Sequence, residues 1–218
     1  MLAADGRVFG IPRNAEQVLI INPHGTFSAQ IYTPSVSYIG NFIGTAKWSG
    51  GVRTHDGRIF CFPYMASSAL IIDPRDDTLD NTTLIVPPGD YKWLGGVLGS
   101  NGIVWGAPFH FSSILRISPF NDTLRTIDLP SSWSTRTGWF GGACDELSMM
   151  IYFAPLSHSY ILRVNPLTET LTLLSPLPTN GYAGGVSAFG LIFFIPHYSS
   201  SANRPVAILD PSLPYACP

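Results

Sequence analysis

The sequence predicts an all-β chain made of repeated four-stranded antiparallel units, and three observations carry that prediction. The first is a recurring tetrapeptide: Trp48-Ser49-Gly50-Gly51, Trp93-Leu94-Gly95-Gly96, Trp139-Phe140-Gly141-Gly142 and Tyr182-Ala183-Gly184-Gly185, spaced by 45, 46 and 43 residues. The second is a pair of apolar runs after each copy. One run closes at Pro63, Pro108, Pro155 and Pro196; the next closes at Asp73-Pro74, Ser118-Pro119, Asn165-Pro166 and Asp210-Pro211. The third is a partial copy ahead of these, in which Ile11-Pro12 leads to Ile21-Asn22-Pro23 without the aromatic-Gly-Gly. The two prolines stand 11 residues apart in four copies and 15 apart in the last, where Ser199 to Ala202 read as an insertion. A fixed period near 45 with short β-type segments marks the blades of a β-propeller.

One repeat, residues 47–91, shows why each element forms. Residues 48–53 make a first strand, in which Gly50 and Gly51 allow the close backbone approach needed around a crowded axis. His55-Asp56-Gly57 is a hairpin turn, because Asp-Gly readily supplies positive φ. Arg58-Ile59-Phe60-Cys61-Phe62 is a β-branched and aromatic second strand stopped by Pro63. A loop over 64–68 leads to a third strand, Ala69-Leu70-Ile71-Ile72, and Asp73-Pro74 turns the chain. Residues 78–86 hold a more polar fourth strand, suited to an outer edge, before Pro87-Pro88-Gly89 leads to the next Trp. Asn101-Gly102 repeats the hairpin turn, and Asp122-Thr123-Leu124 and Glu169-Thr170-Leu171 repeat the start of the fourth strand. No segment has a sustained 3.6-residue apolar period with caps, so no helix longer than a turn is expected.

The repeats divide a single domain, 1–218, at approximately 1–46, 47–91, 92–138, 139–181 and 182–218. Aligning Asp5-Gly6 with Asp56-Gly57 places Met1 on Val52, and few residues follow Asp210-Pro211. The strand count is then four first, five second, five third and four fourth strands. Two readings stay open. Five blades close raggedly on themselves, with 1–4 and 212–218 as stubs, or the five blades are a fragment of a larger propeller. In the second case unpaired blade edges favour self-association.

Composition narrows the function classes. Net charge is −2 with 12% charged residues and no basic run, which argues against nucleic-acid binding by phosphate neutralisation. The longest apolar stretch, 191–195, is too short to span a bilayer, and no signal peptide is visible. Cys61, Cys144 and Cys217 match no zinc or redox spacing and read as small buried or incidental thiols. Asn81-Thr82-Thr83 and Asn121-Asp122-Thr123 are sequons at a frequency chance supplies.

The repeat, with Gly95-Gly96-Val97, Asp56-Gly57, Ile59 to Pro63 and Ile72-Asp73-Pro74 as its marks, resembles the YVTN-type and kelch-like propellers over nearly the whole chain. It departs from them in having no Tyr-Val-Thr-Asn core, no spaced Tyr and Trp in the usual kelch register, and no Trp-Asp strand end. The resemblance implies a disc-shaped scaffold for binding or, less often, catalysis, and the fold alone does not choose between them.

Loops between second and third strands share one face with the starts of the first strands. They vary while the framework repeats, and they are rich in Tyr, His, Ser and Asn, a composition suited to adaptable binding. Candidate ligand-binding residues on this face are Arg13, Asn14, Tyr64, His110, His158, Tyr160, His197 and Tyr198. His110, His158 and His197 fall on consecutive blades, yet no carboxylate recurs beside them and such loops normally lie outward on the disc, so no metal and no cofactor is expected. Trp48, Trp93, Trp139 and Tyr182 could stack on sugars, as in the five-bladed tachylectin-like lectins, but inter-blade packing is the simpler reading. Asp145-Glu146 and Asp76-Asp77 read as solvated turn acids, and no nucleophile-elbow motif is present. The expected function is a non-enzymatic scaffold recognising a protein segment or glycan, and the alternative is a metal-assisted hydrolase or lyase with a pocket at the axis.

Overall fold

The computed structural model describes residues 1–28, 31–133, 138–177, 180–197 and 205–213. They form five antiparallel sheets. The first holds β1 (Val8–Gly10), β2 (Val18–Ser28) and β3 (Ile31–Ile39), and the second β4 (Trp48–Arg53), β5 (Ile59–Pro63), β6 (Leu70–Asp73) and β7 (Thr78–Asp80). The third holds β8 (Trp93–Leu98), β9 (Val104–Pro108), β10 (Ser113–Ser118) and β11 (Thr123–Asp128). The fourth holds β12 (Trp139–Cys144), β13 (Ile151–Pro155), β14 (Tyr160–Val164) and β15 (Leu171–Pro176). The fifth holds β16 (Tyr182–Ala188), β17 (Leu191–Pro196) and β18 (Ala207–Leu209). Each sheet pairs its strands in chain order, the meander of a propeller blade. No helix of the described residues is long and apolar enough to cross a membrane.

Two local readings change. The fourth strand of the second blade is shorter than 78–86; it stops at Asp80, and Ile85 rejoins the sheet through an isolated bridge to Ser68. In the first blade Asn22-Pro23 does not end the third strand. β2 runs on to Ser28 against β3, with an irregularity between Asn22 and Thr26 that the Asn22 side chain fills by accepting the His24 N–H at 2.9 Å. Ser199 to Ala202 and Cys217 lie outside the described residues.

The Gly-Gly pairs divide their work. The first glycine of each pair has positive φ, 74°, 67°, 55° and 76° at Gly50, Gly95, Gly141 and Gly184. A Cβ on Gly50 would stand 3.0 Å from the Gly95 Cα, one on Gly95 3.3 Å from the Gly141 Cα, and one on Gly141 3.1 Å from the Gly184 Cα. The innermost strands therefore touch backbone to backbone. The second glycine sits at a bulge, where the register shifts between Trp48 and Gly51, Trp93 and Gly96, Trp139 and Gly142, and Tyr182 and Gly185.

Four apolar clusters each join two consecutive blades, and among the described residues none joins the fifth blade to the first. Each repeated Trp lies in such a cluster facing the preceding blade, so packing is its role. Trp48, Trp93 and Trp139 are 2%, 0% and 1% exposed, which leaves no ring face for a sugar. Their Nε1–H groups donate to the Ser68, Ser113 and Tyr160 carbonyls, each at 2.8 Å, satisfying the one polar atom each indole buries. Cys61 is fully buried, and burial pushes its thiol pKa far up, as a packing thiol requires.

An electrostatic clasp repeats on the face opposite the second-to-third-strand loops. Arg58, just after Asp56-Gly57, donates from Nε to Asp56 at 2.8 Å, from Nη1 to Asp122 of the next blade at 2.8 and 3.0 Å, and from Nη2 to the Pro119 carbonyl at 2.5 Å. Arg7 does the same with Asp5, Asp77 and the Pro74 carbonyl. Asp76-Asp77 is thus not simply solvated, because Asp77 and Asp122 are the acceptors of a blade-to-blade clasp. Where Ile103 replaces the arginine, Glu169 in the next blade is met instead by Arg116 and Arg125. Arg58→Ala should cost about 1.5–3 kcal/mol in denaturant unfolding, the scale of hydrogen bonds to charged groups. The partly exposed carboxylates can rehydrate, so the loss stays below that of a core truncation. Burial works against ionisation of Asp56, but Thr54 and Arg58 outweigh it and hold its pKa below the usual carboxylate value. Its stabilisation is therefore complete above the unfolded-state pKa and is lost as pH falls through the lower folded value.

Candidate functional site

The loop face is built by a repeated backbone joint. The residue after each second-strand proline donates its N–H to the residue before the repeated aromatic: Tyr64 to Lys47 O at 2.9 Å, Phe109 to Lys92 O at 2.9 Å, Leu156 to Gly138 O at 3.2 Å and His197 to Gly181 O at 2.8 Å. The joint also crosses between blades, with Lys47 N donating to Arg13 O at 2.8 Å and Lys92 N to Tyr64 O at 2.9 Å. The loops therefore begin against the innermost strands, and the outward placement expected for them does not hold for their first residues.

These post-proline positions hold Arg13, Tyr64, Phe109, Leu156 and His197. The Arg13 guanidinium stacks 4.7 Å above the Tyr64 ring, and its Nη1 donates to Ser49 Oγ at 3.2 Å. Tyr64 lies 5.2 Å from Tyr91 and 6.0 Å from Phe109, measured between ring centroids. Phe109 stacks on His110 at 4.1 Å, and His110 meets the edge of Tyr91 at 5.6 Å. The result is a continuous cationic and aromatic surface drawn from three blades. Tyr64 is its buried base, with a pKa raised by burial, while Arg13, Tyr91 and His110 are exposed. Further round, His197 is exposed and approaches Phe140 at 5.8 Å.

The remaining candidates are placed differently. Asn14 accepts the Ala46 N–H on Oδ1 at 2.8 Å, pinning the next blade's connection. His158 stacks on Trp139 at 4.4 Å, and its Nδ1 accepts the Tyr160 N–H at 3.1 Å. Burial lowers the His158 pKa, which favours a neutral ring carrying its proton on Nε2. Tyr160 is half-buried beside that ring at 5.6 Å. Tyr198 lies outside the described residues. Among the described residues no three His, Cys, Asp or Glu side chains gather to hold a metal.

Sequence reasoning did not select Ser49, Tyr91, Phe109 and Phe140. Phe109 had a signal, since it follows Pro108 as Tyr64 follows Pro63, but a choice weighted towards polar residues passes over it. The opposite face carries a depression of about 610 Å³ lined by His55, Leu98, Ser100, Cys144, Glu146 and Ser187. Cys144 Sγ lies 3.2 Å from Ser100 Oγ there. The turns and strand ends supply its polar groups, His55, Ser100, Glu146 and Ser187. Asp145 is not a solvated turn acid. It is buried and caps its own turn, accepting Ser148 Oγ at 2.5 Å and Ser148 N at 3.1 Å.

No protein-family model and no curated protein matches this chain. Solved structures share the fold. That of virginiamycin B lyase from Staphylococcus aureus has a TM-score of 0.74 at 15% identity, over 98% of this chain and 69% of that one. A streptogramin B lyase has a TM-score of 0.69 at 16% identity, over 89% and 60%. The WD40 repeats of RRP9 have a TM-score of 0.54 at 14% identity, over 68% and 44%. At such identities the likeness shows an all-β propeller architecture and nothing finer.

Proposed function

We propose that this chain is a non-enzymatic binding scaffold that takes a protein segment or glycan on its loop face, across Arg13, Tyr91, Phe109 and His110. The observation that carries the reading is the Arg13–Tyr64–Phe109–His110–Tyr91 surface. Its rings are held by a repeated backbone joint, so they offer contact area at small entropic cost, and Arg13 adds an oriented cation. Arg and Tyr are the side chains that most often carry binding energy at such surfaces.

A second reading is a lyase, favoured by the likeness to virginiamycin B lyase over nearly the whole chain. A histidine-to-alanine variant of that enzyme is described as catalytically inactive, with quinupristin. His110 and His197 are the exposed loop-face histidines that could serve here. Peptide and glycan arrays probed with the purified protein, followed by titration of the hits, separate the two. The scaffold reading expects a ligand whose binding weakens at least tenfold, about 1.4 kcal/mol, in both Arg13→Ala and His110→Ala. His55→Ala on the opposite face should leave it unchanged. Turnover of quinupristin by the wild-type protein, abolished in His110→Ala or His197→Ala, would replace the scaffold reading with the lyase.

A further inference from the structure

Charge is sorted between the two faces of the molecule. The turns opposite the loop face hold Asp5, Asp56, Asp77, Asp122, Asp145 and Glu146. The loop face holds Arg13, Lys47 and Lys92, drawn from the first three blades. Every ion pair among the described residues is made by Arg7, Arg58, Arg75, Arg116 or Arg125, so none of them neutralises these three cations. Lys47 and Lys92 are buried, and their ammonium groups donate to the Gly44 carbonyl at 2.7 Å and the Gly89 carbonyl at 2.6 Å. Glu16 acts on Lys47, and Asp90 on Lys92, only from beyond ion-pair distance, and burial lowers both amine pKa values. Salt screens buried charges less than exposed ones, so their positive potential reaches the surface above them.

The same cations adjoin the aromatic surface. Lys47 N donates to Arg13 O and Lys92 N to Tyr64 O, which fixes each lysine beside a residue of that surface. Arg13 is exposed yet oriented, stacked on Tyr64 with Nη1 on the hydroxyl of buried Ser49. A guanidinium held this way and lacking a carboxylate partner suits a planar carboxylate arriving from outside. The rings favour that ligand over a sugar. One face of Tyr64 is taken by Arg13, and one face of Phe109 by His110, whose plane lies within 12° of it. Stacking of a pyranose needs open ring faces, whereas ring edges carry partial positive charge and meet a carboxylate favourably.

We infer that the loop-face ligand is an acidic protein segment, lying across the first three blades with one side-chain carboxylate on Arg13 and others drawn to the potential of Lys47 and Lys92. This rests on the loop-face reading above and narrows it to one chemistry. Calorimetric titration of the whole protein with the capped peptide Glu-Phe-Glu-Ala-Glu-Phe-Glu-Ala tests it, beside the peptide with Gln for every Glu and beside tetragalacturonate, which carries the same number of carboxylates. The expected result is saturable binding of the Glu peptide with a Kd below about 1 mM, and binding of the Gln peptide weaker by about tenfold or more. Raising the salt from about 30 mM to about 300 mM should weaken the Glu peptide by about fivefold or more. Arg13→Gln should weaken the Glu peptide by about tenfold and leave the Gln peptide nearly unchanged. Arg75→Gln removes an exposed arginine from the opposite face and should change neither. No saturation by the Glu peptide, or equal affinity for the Gln peptide, would overturn the inference; neutral array hits that still depend on Arg13 and His110 would leave the scaffold reading standing. Tighter binding of tetragalacturonate than of the Glu peptide would overturn it in favour of an acidic glycan.

Discussion

Gly142→Ala should unfold the protein or cost more than about 4 kcal/mol, the exceptional end of single-substitution effects. A Cβ there would lie 2.1 Å from the Tyr152 carbonyl oxygen and 2.9 Å from the Phe153 Cα, both backbone atoms of the neighbouring β13. No rotamer change can relieve a clash with main chain, so the strand pair would have to separate. The bulge between Trp139 and Gly142 creates this approach, and Gly96 repeats it with the Trp105 carbonyl at 2.2 Å. Gly6 provides the contrast. Its φ is 86°, but a Cβ would meet nothing within 4 Å. Gly6→Ala should therefore cost only about 1–2 kcal/mol, the price of a left-handed backbone. Denaturant midpoints of the two variants measure the difference, and near-equal losses would refute the packing account of the innermost strands.

Trp93→Ala should cost about 3–5 kcal/mol, the range for deleting a buried large aromatic. The indole packs between the second and third blades with Phe60, Phe62 and Leu115. Its removal also leaves the Ser113 carbonyl without its Nε1–H donor. Urea unfolding with an unchanged m-value would report a stability loss rather than a changed unfolded state. A loss below about 1 kcal/mol would mean the ring is not part of the inter-blade core.

The strands were legible because period, proline stops and turn dipeptides all repeat, so each weak local signal is read several times. What the repeat cannot say is which equivalent positions of adjacent blades touch. Arg58 and Asp122 stand 64 residues apart, and neither composition nor spacing marks them as partners. The clasp becomes visible only when the blades are set side by side. The site follows the same logic. Arg13, Tyr64, His110 and His197 could be listed as loop residues, but Tyr91 comes from a different connection and joins them only through ring contacts. His158 and Asn14 have the right chemistry for binding, and the structure commits both to internal contacts. Pro23 misled for another reason. It breaks the ladder locally, yet β2 resumes its pairing beyond the irregularity.

The central claim is that the loop face carries the ligand. Backbone amide chemical-shift mapping of the protein titrated with an array-selected ligand tests it most directly. The account predicts perturbations centred on Arg13, Ser49, Tyr64, Tyr91, Phe109 and His110, with the turns of the opposite face silent. Perturbations centred instead on Leu98 to Ser100 and Cys144 to Glu146, around the depression on that opposite face, would contradict it.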